Sequence, residues 1–148
     1  NSAKLFIVGD GPDRNKLEDL IRKNNLEKDV ILLGTKENPY PYYFGADIFL
    51  LSSFFEGLPT VVVEAMALEC PVVATDCPTG PRELIGNNEN GILVPMQNTE
   101  KMAEAVILLI ANKKLRQKII KNAKRKSEEF EIKKSIQKYE NLFDKLLN

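Results

Sequence analysis

Hydrophobic residues along the chain fall into short continuous runs that alternate with segments of helical spacing. Runs of mainly apolar residues predict five buried strands, at 5–8, 30–34, 48–51, 72–75 and 91–94. Apolar residues three or four positions apart predict helices, at 14–25, 59–69, 81–85, 100–111, 114–127 and 133–147. The region 38–46 holds two prolines and three tyrosines and is predicted to be a loop with one short helix.

The alternation of strands and helices predicts a single three-layer α/β domain. Continuously apolar strands are typical of a parallel sheet that helices cover on both faces. We therefore expect one parallel sheet of about five strands, followed by a helical C-terminal end rich in lysine and glutamate. No repeat, low-complexity tract or linker divides the sequence into further domains.

The turn between the third strand and the next helix carries the most informative chemistry. Glu56 falls in this turn, Pro59 suits the first helical turn, and Glu64 follows about one and a half turns into the helix. Backbone N–H groups at a helix N-terminus, together with the helix dipole, favour anions. The sequence therefore predicts a phosphate site at this helix start, between two carboxylates able to hold hydroxyl groups.

Other turns are expected at the same edge of the sheet. Ligands of parallel α/β sheets bind at the carboxyl ends of the strands. This rule brings together the glycine turn at 9–12, the turn at 34–36, the segment 52–60 and the segment 76–82. Within the last segment, Arg82 and Glu83 are expected to pair with each other across a helix start. Tyr40, Tyr42 and Tyr43 are expected to cover the edge of the core, with stacking on a base or a sugar as the alternative.

Composition excludes several function classes. The 148 residues include 21 basic and 21 acidic side chains, so the zero net charge gives no whole-chain case for nucleic-acid binding. The chain has no histidine and two cysteines, which argues against a zinc site and against nucleophile schemes that need histidine. Chemistry must then rely on carboxylates, lysines, arginines, backbone amides or the substrate. The longest apolar runs are far shorter than a membrane span.

Motifs in a fixed order cover nearly the whole chain. They include Val-Gly-Asp-Gly-Pro at 8–12, Glu-Gly-Leu-Pro at 56–59, Glu-Ala-Met-Ala at 64–67 and Gly-Pro-Arg-Glu-Leu-Ile at 80–85. In this order the motifs resemble the C-terminal, donor-binding domain of retaining GT-B glycosyltransferases of family 4, the glycosyl transferases group 1. The resemblance implies a Rossmann-like domain, one half of a GT-B fold, over residues 1–148.

The resemblance also implies roles for individual residues. Glu56 and Glu64 match the family's E-x7-E motif, in which Glu56 is the catalytic-site carboxylate that contacts hydroxyls of the donor sugar. Glu64 then contacts the ribose hydroxyls, the helix start holds the diphosphate, and the turn after the second strand borders the nucleobase. The implied donor-binding residues are Glu64, Gly57, Leu58, Pro59, Thr60, Thr35, Lys36, Gly9 and Gly11.

The implied reaction moves a hexose or N-acetylhexosamine from a nucleoside diphosphate to a glycan or lipid-linked acceptor. The stretch 77–83 resembles members that use UDP-linked sugars, and the family implies no metal and no cofactor. The implied location is the cytoplasm, with peripheral contact at the inner face of the membrane left open because residues 113–126 are rich in lysine.

The resemblance places two parts of the enzyme outside this chain: the N-terminal, acceptor-binding domain and the first part of the donor domain. The second part carries the family's phosphate-neutralising arginine and lysine. One helix end supplies roughly half an elementary charge, against about two or more negative charges on the leaving diphosphate. We therefore expect that this chain alone transfers no sugar.

The alternative from another class is a non-catalytic α/β nucleotide-binding module. A receiver domain needs an acidic cluster at the strand ends, whereas Asp47 precedes its strand. A dinucleotide-binding domain needs a third glycine that the turn at 9–14 lacks.

Overall fold

The computed structural model describes residues 3–86 and 88–147, and the chain divides into two compact units. Unit 1 ends at Pro41 and unit 2 begins at Tyr42. The boundary falls inside a short helix, α2 (Tyr40–Gly45). Each unit is one continuous stretch of the chain.

Unit 1 contains a parallel strand pair with one helix between the strands. Strand β1 (Leu5–Val8) pairs with β2 (Val30–Gly34) in a register that starts at Leu5 opposite Val30, and helix α1 (Arg14–Lys23) connects them. The helix ends two residues before the predicted position because Asn25 adopts a positive φ of 56°. The amide of Leu26 then donates to the carbonyl of Ile21, a bond that closes the last turn.

Unit 2 contains a three-stranded parallel sheet in the order β3-β4-β5. Helices precede, connect and follow the strands, and a 3₁₀ turn at Glu128–Phe130 separates the last two helices. The elements are β3 (Phe49–Leu51), α3 (Thr60–Ala67), β4 (Val72–Thr75), α4 (Pro81–Ile85), β5 (Ile92–Val94), α5 (Thr99–Ala111), α6 (Lys113–Ser127) and α7 (Ile132–Leu147).

The core of unit 2 is arranged around β4, the central strand. All four residues of β4 are buried, and successive side chains point to opposite faces of the sheet. Val72 and Ala74 join a cluster with residues of α3 and α4, whereas Val73 joins a second cluster with Leu109 of α5 and Ile119 of α6. Helices therefore cover both faces, and unit 2 has the three layers that the apolar strands predict.

The structure agrees with the predicted element types and corrects how the strands are grouped. All five strands occur and are parallel to their neighbours, but they form a two-stranded and a three-stranded sheet. In the described part of the chain no strand pairing joins β1 or β2 to β3, so the expected single sheet of about five strands is divided. Periodicity identifies a strand but carries no information on which strand pairs with it.

The last helix differs from the others of unit 2. Helix α7 has no buried residue, and its apolar positions, including Ile132, Tyr139 and Phe143, are exposed. Across the described residues, no helix combines the length and the apolar character that crossing a membrane requires.

Candidate functional site

The predicted anion site lies at the junction of β3 and α3 in unit 2. Pro59, the predicted first residue of the helix, is its N-cap, and the helix begins one position later, at Thr60, because the Pro59 ψ of 93° is extended rather than helical. No side chain caps this helix end, and the amide of Val62 donates to the carbonyl of Pro59. Gly57, Leu58 and Thr60 are exposed, and among the described residues the amides of Thr60 and Val61, the first two of α3, donate no hydrogen bond.

Glu56 and Glu64 stand on either side of this helix end. Glu56 is half-buried in the loop before the helix, and Glu64 is half-buried as the fifth residue of α3. Three residues of α3, Val62, Ala65 and Met66, are buried, so the core fixes the rotation of the helix that carries Glu64. Glu56 thus precedes the helix start and Glu64 follows it in the chain, and their shared role at one ligand site stays a prediction.

A buried tyrosine orients the Glu64 carboxylate. The hydroxyl of Tyr43 donates a hydrogen bond to Oε2 of Glu64 at 3.2 Å. Tyr43 is 7% exposed, and its ring packs edge-on against Phe49, with 5.4 Å between the ring centroids. Tyr43 therefore covers the edge of the core, as expected, and its hydroxyl adds a contact that the sequence did not predict. An ionised carboxylate has about four acceptor sites, so Glu64 keeps sites for ligand hydroxyls.

The segment after β4 lies at the same edge of the three-stranded sheet. The hydroxyl of Thr75 donates to the carbonyl of Ser53 at 2.5 Å, and the hydroxyl of Thr79 donates to the carbonyl of Glu56. Gly80, with a φ of 82°, packs its backbone against Gly57. No local pattern points to Thr75 or Thr79 as contact residues, since contacts between residues more than 20 positions apart leave no local signal.

The predicted pairing of Arg82 with Glu83 is wrong. The guanidinium of Arg82 instead makes two hydrogen bonds to the carboxylate of Asp76, one of them at 3.0 Å. Asp76 follows β4 directly, and its amide donates to the carbonyl of Val94 at 2.8 Å. This backbone bond holds Asp76 at the end of β5. Its planar carboxylate accepts both bonds from the guanidinium fork, the usual geometry of an arginine–carboxylate pair.

In unit 1 the predicted site residues meet at the carboxyl ends of β1 and β2. The amide of Gly9 donates to the carbonyl of Gly34 at 2.9 Å, and both glycines have positive φ values. Gly11 donates its amide to the Asp10 side chain at 2.8 Å, which closes the turn before α1. Thr35 and Lys36 follow β2 directly and are exposed. The parallel pairing thus places Gly9, Gly11, Thr35 and Lys36 at one edge.

A cleft of about 340 Å³ adjoins the glycine turn of unit 1. Backbone and side-chain atoms from Val8 to Arg14 line it, together with Leu17 and Leu32. The Arg14 guanidinium lies 3.7 Å from the Asp10 carboxylate and 3.0 Å from that of Glu18. Arg14 is thus paired with two acidic side chains and stabilises the turn that carries Gly9 and Gly11.

The predicted site residues therefore occupy the carboxyl edges of two parallel sheets. Unit 2 carries Glu56, Gly57, Leu58, Pro59, Thr60 and Glu64, and unit 1 carries Gly9, Gly11, Thr35 and Lys36. Within residues 3–86 and 88–147, no three acidic or thiol side chains converge as metal ligands. The chemistry that each edge offers is hydrogen bonding to hydroxyl groups by carboxylates and to anionic oxygens by backbone amides.

Comparison with known proteins gives the same assignment over most of the chain. A family model described as glycosyl transferases group 1 matches residues 1–126. The Campylobacter jejuni protein N-acetylgalactosamine-N,N'-diacetylbacillosaminyl-diphospho-undecaprenol 4-alpha-N-acetylgalactosaminyltransferase is 38% identical over 128 residues. That alignment covers 86% of this chain and 35% of the relative.

Solved structures agree with the fold. A Staphylococcus aureus TarM variant in complex with fondaparinux, alpha-GlcNAc-glycerol and UDP superposes with a TM-score of 0.85 at 30% identity, over 95% of this chain and 29% of that chain. Anabaena HepE in complex with UDP superposes with a TM-score of 0.85 at 25% identity, over 96% of this chain and 41% of that chain. The predicted Rossmann-like α/β fold is confirmed. The chain spans between 29% and 41% of the length of these three proteins.

Proposed function

The chain belongs to the glycosyl transferases group 1 family, and on that premise we propose that it is the donor-binding part of a retaining glycosyltransferase of family 4. The donor is a nucleotide sugar, UDP-linked, that carries a hexose or an N-acetylhexosamine. The acceptor is a glycan or a lipid-linked saccharide, bound by a further, N-terminal domain of the whole enzyme.

The observation that carries the proposal is the pair of carboxylates around the uncapped start of α3. Free N–H groups at a helix start suit a diphosphate, because they donate hydrogen bonds and lie at the positive end of the helix dipole. Glu56 precedes these groups in the chain and Glu64 follows them, so the two carboxylates suit hydroxyls on either side of a diphosphate. In the proposal Glu56 accepts from the sugar and Glu64 from the ribose.

The surroundings of Glu64 suit a ribose as its partner. Its carboxylate is half-buried and held by the Tyr43 hydroxyl, and the buried residues of α3 hold the backbone beneath it. A carboxylate with fixed orientation can accept hydrogen bonds from two adjacent hydroxyls, the arrangement that a ribose offers. For unit 1 taken by itself, the proposal assigns donor binding to Gly9, Gly11, Thr35 and Lys36, which lie at one edge of its strand pair.

The relatives support the choice of nucleotide and of acceptor class. Two of the similar structures hold UDP, and the Campylobacter relative is described as a transferase acting on a diphospho-undecaprenol saccharide. These descriptions support UDP as the nucleotide and a glycan or lipid-linked acceptor. An acceptor of this kind supports a location in the cytoplasm with peripheral contact at the membrane. The proposal includes no resident metal or cofactor, since the nucleotide sugar is itself the substrate.

The proposal is tested by titrating the chain with UDP, GDP, ADP and NAD while amide chemical shifts are followed. We expect saturable shifts at residues 57–64 and at the turn after β2, with UDP as the tightest ligand. Glu64→Gln keeps an oxygen for the Tyr43 hydroxyl but loses the charge, and we expect it to weaken UDP binding by roughly tenfold. Glu100→Gln, an exposed carboxylate at the start of α5, is the matched control and should bind UDP like the wild type.

Two results would count against the proposal. One is that no nucleotide shifts the amides at 57–64, and the other is that Glu64→Gln binds UDP as tightly as the Glu100→Gln control. Incubation with UDP-N-acetylglucosamine and an acceptor tests the further expectation that this chain alone forms no product. Product above the level without protein would refute that expectation.

A further inference from the structure

The loop that carries Glu56 has little structure of its own to hold it. In the described part of the chain, none of the backbone amides of residues 53–58 donates to a backbone carbonyl. Phe54, Phe55 and Leu58 in this loop are exposed, so the loop is not anchored by burial of its large side chains either. A loop of this kind depends on contacts from a neighbouring segment for a defined position.

The neighbouring segment is residues 75–80, and it contacts the loop at three successive points. The Thr75 hydroxyl donates to the carbonyl of Ser53, and the Thr79 hydroxyl donates to the carbonyl of Glu56 itself. At Gly80 an added Cβ would lie 2.1 Å from the carbonyl oxygen of Gly57 and 2.7 Å from Cδ of Pro59. The two segments are therefore in direct backbone contact at Gly80, and only a glycine fits there.

Residues 75–80, the segment that contacts the loop, are themselves firmly attached to the core of unit 2. Thr75 is the last residue of the fully buried strand β4, and Gly80 is followed by Pro81, Leu84 and Ile85, all of which are buried. Asp76, within this segment, has two further attachments. Its carboxylate accepts from the Arg82 guanidinium, and its amide donates to the carbonyl of Val94 at the end of β5. Residues 75–80 can thus transmit the rigidity of the core to the exposed loop.

We propose that Thr79 and Gly80 are positioning residues for the sugar-binding carboxylate, and that they set the place of Glu56 relative to the start of α3. This inference deepens the proposed function and depends on it. Thr79 donates to the carbonyl of Glu56, and Gly80 packs against Gly57 and Pro59. The two residues therefore fix residues 56–59, the turn that joins the sugar-binding carboxylate to the start of α3. A donor then meets hydrogen-bond partners that are already in place, which lowers the ordering cost of binding.

The experiment compares Thr79→Val, which keeps the size and loses the hydroxyl, with Thr79→Ser, which keeps the hydroxyl. Thr99→Val, at the exposed start of α5, is the matched control. The first measurement, without ligand, is the backbone ¹⁵N relaxation of residues 53–58 and 60, which gives their order parameters. We expect Thr79→Val to lower these order parameters, and we expect Thr79→Ser and Thr99→Val to leave them as in the wild type. Gly80→Ala should show the same local effect more strongly, since its Cβ forces the two turns apart.

The second measurement is the dissociation constant of UDP and of UDP-N-acetylglucosamine. For Thr79→Val we expect the dissociation constant of the nucleotide sugar to rise roughly tenfold, which corresponds to the loss of about one net hydrogen bond. The dissociation constant of UDP should rise less. If Thr79 only stabilised the fold, Thr79→Val would weaken the binding of both ligands equally. Thr79→Ser would then show no selective recovery of nucleotide-sugar binding.

The outcomes separate this inference from the proposed function. If the wild type binds neither UDP nor the nucleotide sugar, the proposed function fails and the positioning role fails with it. If the wild type binds both and Thr79→Val changes neither the order parameters of residues 53–58 and 60 nor the ratio of the two constants, only the positioning role is overturned. Lower order parameters in Thr79→Val with an unchanged ratio also overturn it, because the contacts of Thr79 would then hold the loop without affecting the ligand.

Discussion

Units 1 and 2 are made from the same kinds of elements, yet only unit 2 encloses a core. Every buried hydrophobic side chain among the described residues lies between Tyr43 and Ala123, whereas no described residue of unit 1 is buried. Strand β1 in unit 1 is as apolar as β4 in unit 2, but β1 has one pairing partner and β4 has two. An apolar strand is therefore buried only when neighbouring strands and helices cover it. A run of apolar residues contributes more to the stability of unit 2 than to that of unit 1.

The clearest way to challenge this comparison is hydrogen exchange at two matched amides. Leu5 and Phe49 each begin a strand with one pairing partner, and each donates to the carbonyl before the neighbouring strand, at 2.8 Å to Asp29 and 2.9 Å to Pro71. The bonds are alike, but only Phe49 packs against a buried cluster. We expect the Phe49 amide to exchange at least about a hundredfold more slowly, a difference of roughly 3 kcal/mol in opening free energy.

Native-state exchange at several urea concentrations would measure both opening free energies. Equal protection of the two amides would contradict the comparison, because it would mean that units 1 and 2 open in a single cooperative step.

A pair of identical substitutions tests the comparison by an effect of similar size. Leu84 of α4 is 0% exposed in the unit 2 core, and Leu20 of α1 is 57% exposed in unit 1. Leu84→Ala removes buried methyl groups and leaves a cavity, so we expect a loss of about 2–5 kcal/mol in the free energy of unfolding. Leu20→Ala should cost less than about 1 kcal/mol, since its side chain is already in contact with water.

Urea unfolding followed by circular dichroism at 222 nm measures both losses. Similar losses for the two substitutions would show that the Leu20 side chain contributes to a core that its exposure does not indicate.

The comparison also separates what the sequence can predict from what it cannot. Strands at 5–8, 30–34 and 72–75 have the predicted bounds, because each is a run of apolar residues between glycine, proline or polar turns. The turn with Glu56 and the helix with Glu64 were predictable for the same reason: the signals lie within about twelve neighbouring residues. Their roles in donor binding remain predictions.

Contacts between distant segments could not be predicted in this way. The division of the strands into two sheets, the pairing of Arg82 with Asp76, and the contact of Thr79 with Glu56 all depend on how separate segments pack. A threonine in a turn has the same local signal whether its hydroxyl meets water or a carbonyl 23 residues away. The candidate site is therefore a prediction from local sequence, and the structure shows which distant residues contact the loop that carries Glu56.

A thiol in the core of unit 2 predicts a dependence of stability on alkaline pH. Burial, with a smaller contribution from the negative charge of Asp47, raises the pKa of Cys70 from 9.0 to about 11. Between these values the unfolded chain releases the thiol proton while the folded chain keeps it. The contribution of Cys70 is complete below pH 9 and is lost as the pH rises towards 11, by about 1.4 kcal/mol for each unit of pKa difference.

Urea midpoints of the wild type and of Cys70→Ala at pH 7, 9, 10 and 11 test this dependence. The difference between the two proteins should change only above pH 9, because tyrosine and lysine titrate in both and cancel. Parallel pH profiles of the two proteins would show that the thiol ionises equally in the folded and unfolded chain.

The smallest predicted effect concerns the ion pair that joins β1 to the turn before β2 in unit 1. Nζ of Lys4 lies 2.9 Å from the Asp29 carboxylate, and both side chains are more than 40% exposed. Water and salt screen such a pair, so a double-mutant cycle with Lys4→Ala and Asp29→Ala should give a coupling free energy of about 0.2–1 kcal/mol that shrinks in 0.5 M salt. A coupling of several kcal/mol would mean that unit 1 is held by charge where unit 2 is held by burial. A small coupling leaves the hydrogen bonds between β1 and β2 and their half-buried apolar faces as the interactions that stabilise unit 1.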